Sequence, residues 1–265
     1  MRLGFDLDGT LADMQTALAR EARSLFPEID PATLPRSTAF AVQPEGSAEG
    51  GQNPPADATG PAPEAPVPAT HGLTSRQQRE LWRAVCAREN FWETLDEIEP
   101  GALAQLFAVA TKRRWEIIFL TSRPESAGDT AQLQSHRWLA AHGFPAPSIF
   151  VVHGSRGKIA AALALDVLVD DRPENCLDIS IDSSARAILV WRGGESTVPA
   201  SAGQLGIGSV RSIAECLDVL ERLDEPGTEG VIERFKRLLG LKPRASRARA
   251  AAKDPAAPTG VATSD

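Results

Sequence analysis

Five short apolar runs, separated by helix-length intervals, limit this chain to very few architectures. They are Arg2–Leu7, Glu116–Leu120, Ser148–Val152, Val167–Val169 and Ala185–Trp191, all rich in Ile, Val, Leu or Phe. A strand with one wet face alternates apolar and polar residues. These runs do not alternate cleanly, which predicts strands covered on both faces. Helical patterns fill the intervals: Ala102–Lys112, Asp129–His142 with Gly143 placed as a C-cap, Lys158–Leu165 and Ile213–Leu223. Strands alternating with helices of this length predict βαβ units in a parallel sheet, an α/β, Rossmann-like three-layer fold.

One interval is too long for a simple crossover. Residues 9–115 separate the first two runs, whereas a whole βαβ unit takes roughly 30 residues. The excess holds two segments of helical periodicity, Ala12–Phe26 and Ser75–Arg88, followed by Asn90-Phe91-Trp92. This predicts a small helical insertion over 15–94, with the core built from 1–14 and 95–225. Inside the insertion, residues 41–71 contain seven Pro, four Gly and seven Ala, and only Val42 and Val67 as larger apolar groups. Such a stretch cannot bury enough surface to offset the entropy of ordering, so a disordered loop is expected there. An amphipathic piece, Val231–Leu239, predicts a C-terminal helix over 226–241. The Ala/Arg/Pro-rich residues 242–265 read as a disordered basic tail.

Composition removes several function classes. Net charge is −7, and the basic tail leaves the rest of the chain more acidic still. An acidic body offers few counterion-releasing contacts, which argues against general nucleic-acid binding. No apolar run approaches the roughly 18 residues a membrane helix needs, and Met1-Arg2 leads straight into Leu3-Gly4-Phe5-Asp6 rather than a secretory h-region. Cys86, Cys176 and Cys216 lie 40 or more residues apart. That spacing fits neither a disulfide framework nor a zinc site and points to a reducing, cytoplasmic setting.

The chemistry-bearing residues cluster where the strands end. Asp6-Leu7-Asp8-Gly9-Thr10-Leu11 closes the first run, and ligands of open α/β sheets bind outside carboxyl strand ends. In an extended chain, residues 6 and 8 point to one side. Two carboxylates there repel, and a cation between them resolves the repulsion; hard oxygen ligands favour Mg²⁺. One carboxylate could attack phosphorus while the other exchanges a proton with the leaving oxygen. Read alone, Asp8-Gly9 is equally a simple turn. The next runs end in Thr121-Ser122-Arg123, whose hydroxyls and cation suit the oxygens of a small phosphorylated substrate. Lys158 follows the third run and could neutralise nucleophile and transferred group, and Asp170-Asp171 closes the fourth.

In this combination the sequence resembles the haloacid dehalogenase superfamily of phosphotransferases, through DxDGT at Asp6–Thr10, the hydroxyl at Thr121, the lysine at Lys158 and the pair Asp170-Asp171. The resemblance covers about residues 1–14 and 95–200. It implies that Asp6 is the nucleophile and Asp8 the general acid/base. It also implies that Asp6, the backbone carbonyl of Asp8, and Asp170 bind Mg²⁺ with support from Asp171, and that the insertion is a helical cap. Aspartate at both 6 and 8 looks like the phosphatase pattern. Phe91-Trp92, Pro100-Gly101-Ala102 and Leu120-Thr121-Ser122 are similar to the 5′(3′)-deoxyribonucleotidases, where cap aromatics can stack a base; for Phe91 and Trp92 themselves, core packing of the cap is the preferred reading. Ser122–Ser126, Arg137-Trp138-Leu139 and Asp170-Asp171-Arg172 are similar instead to polynucleotide 3′-phosphatase domains. A non-catalytic domain that binds a phosphorylated ligand is the third reading.

Overall fold

The computed structural model describes residues 1–28, 73–193 and 198–225. The expected loop at 41–71, the helix at 226–241 and the tail at 242–265 lie outside the described residues. Six parallel strands form one sheet: β1 (Arg2–Asp6), β2 (Glu116–Thr121), β3 (Ser148–Val151), β4 (Val167–Asp170), β5 (Arg186–Val190) and β6 (Gly208–Val210). Their spatial order is β3-β2-β1-β4-β5-β6, the doubly wound Rossmann-like order. All five expected strands are present, within a residue or two at each end. The sixth was not expected, because Gly-Ser-Val is too short to register as an apolar run.

Period two explains the missing alternation. Leu3, Phe5, Phe119, Val167, Val169, Ile188 and Val190 face one buried cluster, while Leu120, Leu168, Ala187 and Leu189 face the other. Helices α3 (Ala102–Arg113), α4 (Ala131–Ala141) and α8 (Ile213–Asp224) supply the first cluster. Helices α5 (Arg156–Ala162) and α6 (Pro173–Asp182), with α7 (Ala200–Leu205), supply the second. Helices α6 and α7 fall in intervals that carry no helical pattern of their own in the sequence. No helix among the described residues is long and apolar enough to cross a membrane.

Two further helices, α1 (Met14–Leu25) and α2 (Ser75–Ala87), occupy the long interval. Asp13 caps α1 by accepting from Thr16 N at 2.9 Å. Thr74 and Gln77 form a reciprocal capping box at α2. Their apolar faces, Ala17, Leu18 and Ala22 against Leu81, Trp82 and Val85, join the same cluster as Leu3 and Phe5. The stems of the interval are tied together by Asp13 N to Asp96 O at 2.9 Å and Ile98 N to Leu11 O at 2.9 Å.

Helices α5 and α6 meet at a glycine. A Cβ on Gly157 would collide with the backbone oxygen of Asp178 and lie 2.7 Å from Asp182 Cβ. Gly→Ala inside an open helix gains up to about 1 kcal/mol, but overpacking against a backbone that cannot yield costs about 1–3 kcal/mol. Gly157→Ala is therefore expected to lower the urea unfolding midpoint, corresponding to a net loss of up to about 2 kcal/mol. A variant more stable than wild type would show that the helices can separate freely.

Candidate active site

Strand order reverses between β1 and β4, so their following chain segments diverge and open a crevice at the carboxyl ends. Asp6 ends β1, Asp170 ends β4, and Asp171 follows. One carboxylate oxygen from each lies within 4.8 Å of the other two. The side chains are buried: Asp6 is 6 % exposed, Asp170 0 % and Asp171 6 %. Asp170 is held by donation from Arg172 N at 2.9 Å and from Asn175 Nδ2 at 2.9 Å. Asp171 accepts from Thr10 Oγ1 at 3.3 Å.

Three buried carboxylates at this spacing oppose one another's ionisation. Burial, and then the charge of Asp170, pushes the Asp6 carboxyl well above the usual range, while Arg156 opposes the rise. Asp171 is pushed up to about 7 by burial and by Asp170. Burial also raises Asp170, less so because Arg156, the Arg172 N–H and Asn175 favour its anion.

The cation at this cluster is Arg156, not Lys158. Arg156 Nη2 donates to Asp6 Oδ1 at 2.8 Å and to Ser122 Oγ at 3.1 Å, and Nε lies 3.9 Å from Asp170 Oδ2. Arg156 is 4 % exposed, and its Nη1 is buried without a protein partner. Lys158 is exposed, and its backbone N–H donates to Ser155 Oγ at 3.0 Å. The reason is local. Ser155 caps α5, so the helix starts at Arg156, two residues before the start read from the periodicity. The first-turn position facing the sheet then belongs to residue 156.

Asp8 is directed elsewhere. Its carboxylate lies outside the cluster of three; Oδ2 accepts from Thr121 Oγ1 at 3.0 Å, and Oδ1 from Arg123 Nη2 at 2.7 Å. Thr121 is thus a partner of Asp8. Ser122 is exposed at the site and contacts Arg156. Arg123, expected to contact substrate, has a fully buried side chain enclosed by Trp92, Trp138 and Ser135. Phe91 and Trp92 are 1 % and 0 % exposed, which bears out core packing rather than a stacking platform for a base.

Two features of the β1 loop were not read from the sequence in full. Gly9 has φ +92°, and a Cβ there would collide with the Asp171 carboxylate, so only glycine permits the loop to lie against that carboxylate. Arg192, just past β5, donates to Gly9 O at 2.8 Å, Thr10 O at 2.9 Å and Glu99 Oε1 at 2.7 Å. Its signal was an arginine at a strand's carboxyl end, the same position that singled out Arg123.

The donor set fits a hard divalent cation. Asp6, Asp170 and Asp171 offer oxygen ligands only; Arg156 donates to Asp6, and Arg172 and Arg192 also favour the Asp171 anion. No protein-family model matches the chain, and no curated protein matches it. Among solved structures, the chain is similar to a Thermotoga maritima protein assigned as a beta-phosphoglucomutase, at 16 % identity and TM-score 0.47, covering 83 % of this chain and 98 % of that one. It is also similar to a hydrolase from Pseudomonas syringae, at 16 % identity and TM-score 0.45, covering 86 % and 100 %. Likeness at this level carries no argument about chemistry.

The raised carboxyls set the sign of a pH effect. Asp171 titrates near 7 when folded and near 3.9 when unfolded, so the folded chain binds the extra proton between those values. The Asp171 contribution to the stability of the metal-free protein therefore falls as pH rises from about 4 to 7. Asp171→Asn in EDTA is expected to melt above wild type at pH 8, by on the order of a few kcal/mol, with the gap closing towards pH 5. Added Mg²⁺ should raise the wild-type Tm most at pH 8. A variant melting no higher than wild type at pH 8 would show that the repulsion is already compensated.

Proposed function

We propose that the protein is a phosphomonoester hydrolase of the haloacid dehalogenase type, working through an aspartyl-phosphate on Asp6. The observation that carries this reading is the buried Asp6–Asp170–Asp171 cluster at the switch point of the sheet, with the Arg156 guanidinium against it. Mg²⁺ held by Asp6, Asp170 and Asp171 would supply positive charge against the phosphoryl oxygens.

The remaining roles belong to the chain. A carboxylate oxygen of Asp6 attacks phosphorus in line with the ester oxygen, and the P–O ester bond breaks as the new P–O bond forms. Asp8, two residues on, gives a proton to the departing oxygen. Water then attacks the phospho-aspartate, Asp8 takes its proton, and inorganic phosphate leaves with Asp6 restored. Arg156 holds Asp6 Oδ1 through Nη2, and its unpartnered Nη1 is suited to an oxygen of the transferred group. Ser122 lies beside it.

A small phosphoester is the substrate class proposed. A nucleotide remains within that class, but the burial of Phe91 and Trp92 removes the aromatic support that singled it out. A panel of nucleoside 5′- and 3′-monophosphates, sugar phosphates and 3′-phosphorylated oligonucleotides separates the nucleotidase and polynucleotide readings from other phosphoesters.

With p-nitrophenyl phosphate and Mg²⁺, Asp6→Asn is expected to lower turnover by roughly 10³-fold or more while the melting curve survives. Activity near wild type in that variant would exclude the nucleophile, and full activity after chelation would exclude the metal. Arg156→Ala is expected to lose about 10²–10³-fold, whereas Lys158→Ala should stay within about twofold, in line with its exposed side chain. The opposite ranking would return the charge role to Lys158.

A further inference from the structure

Arg123 has no exposed side-chain surface. Its Nε lies 3.0 and 2.9 Å from the two Asp8 oxygens, and Nη2 lies 2.7 Å from Oδ1. Nη1 turns away to Ser135 Oγ at 2.9 Å, and Ser135 in turn donates to Ala131 O at 2.6 Å. The guanidinium carbon sits 5.2 Å from the Trp92 ring centroid and 5.7 Å from that of Trp138. Both indoles are pinned, Trp92 Nε1 to Pro124 O at 3.0 Å and Trp138 Nε1 to Leu95 O at 2.8 Å. An arginine enclosed in this way cannot reach a phosphate. Its planar fork is committed to one carboxylate, which Thr121 also contacts.

We infer that Arg123 is a positioning residue for the proton-transfer step: it fixes the direction of the Asp8 carboxylate and makes no contact with substrate. This rests on the phosphatase reading above and deepens it. The fork fits a carboxylate through two parallel N–H groups, so it constrains orientation where a lysine would supply only a point charge. Orientation matters because a misplacement of about 1 Å can cost roughly 10²-fold in rate. The two tryptophans and Ser135 prevent the fork from rotating with its partner.

The leaving group distinguishes positioning from binding. p-Nitrophenolate departs without a proton, whereas the benzyl alkoxide needs one, so a misdirected acid penalises benzyl phosphate selectively. The parameter to read is kcat/KM, which covers phosphoryl transfer to Asp6 and not the later hydrolysis. Arg123→Lys is expected to lower kcat/KM for benzyl phosphate by about 10²-fold and for p-nitrophenyl phosphate by less than about tenfold. In an Asp8→Asn background, adding Arg123→Lys should cost nothing further on benzyl phosphate, because the two groups act as one unit. Equal losses on both substrates, or a further loss in the Asp8→Asn background, would overturn the inference in favour of a substrate contact or a purely structural role. If Arg123→Lys does not fold, Ser135→Ala carries the test. That variant frees Nη1 and should lower the benzyl to p-nitrophenyl ratio by about threefold or more; an unchanged ratio overturns the proposal. Wild type that turns over neither ester removes the phosphatase reading itself, and the inference with it. That result is distinct from an active enzyme whose variant lowers both esters alike.

Discussion

The candidate site depends on three carboxylates held within 4.8 Å of one another and out of water. Left alone, such a cluster destabilises the fold, since each buried anion raises the cost of the next. The surrounding residues read as partial answers to that cost. Arg156 donates to Asp6, the Arg172 N–H and Asn175 donate to Asp170, and Thr10 donates to Asp171. The cluster offers oxygen ligands that could hold a metal ion, and its location at the β1/β4 reversal is where a doubly wound sheet has room for a ligand.

Two buried arginines divide the electrostatic work, and each is built into a different layer. Arg156 comes from the first turn of α5, against the sheet face that carries Asp6, and keeps one nitrogen without a protein partner. Arg123 comes from the segment after β2 and uses its donors on Asp8 and Ser135. The separation keeps Asp8 out of the carboxylate cluster although only Leu7 lies between it and Asp6. With Asp8 turned towards Thr121 and Arg123, its charge raises Asp6 less than those of Asp170 and Asp171 do. Proximity in sequence thus coexists with distinct environments, the condition under which neighbouring carboxyls can take different roles.

Much of this was legible in the residues. Apolar runs covered on both faces gave the parallel sheet, and carboxylates at the ends of the first and fourth runs gave the site, because strand ends are where such sheets place ligands. What sequence could not separate was one arginine or lysine from another. Arg156 and Lys158 differ by two positions, and the choice depends on where Ser155 starts the helix, a matter of one hydroxyl accepting from one N–H. Arg123 reads as a phosphate ligand by position, and only the tryptophans around it show that it faces inward. Strand β6 escaped notice because a central partner, β5, supplies the order that Gly208-Ser209-Val210 lacks in its own composition.

The aromatic pair 91–92, read as core, has a further part in the structure. These residues are threaded into the segment after β2. Asn90 N donates to Ala127 O at 2.8 Å, Asp129 N to Asn90 Oδ1 at 2.9 Å, and Trp92 N to Gln134 Oε1 at 3.0 Å. Ala127 N also donates to Cys86 O at 2.7 Å, just before the end of α2. The inserted helices are thereby fastened to the loop that carries Arg123, and Trp92 forms one wall of that arginine's enclosure. The segment is the support through which the insertion bears on Asp8. Changes in α2 or in residues 88–95 would reach the proposed acid through packing against Trp92 and Arg123.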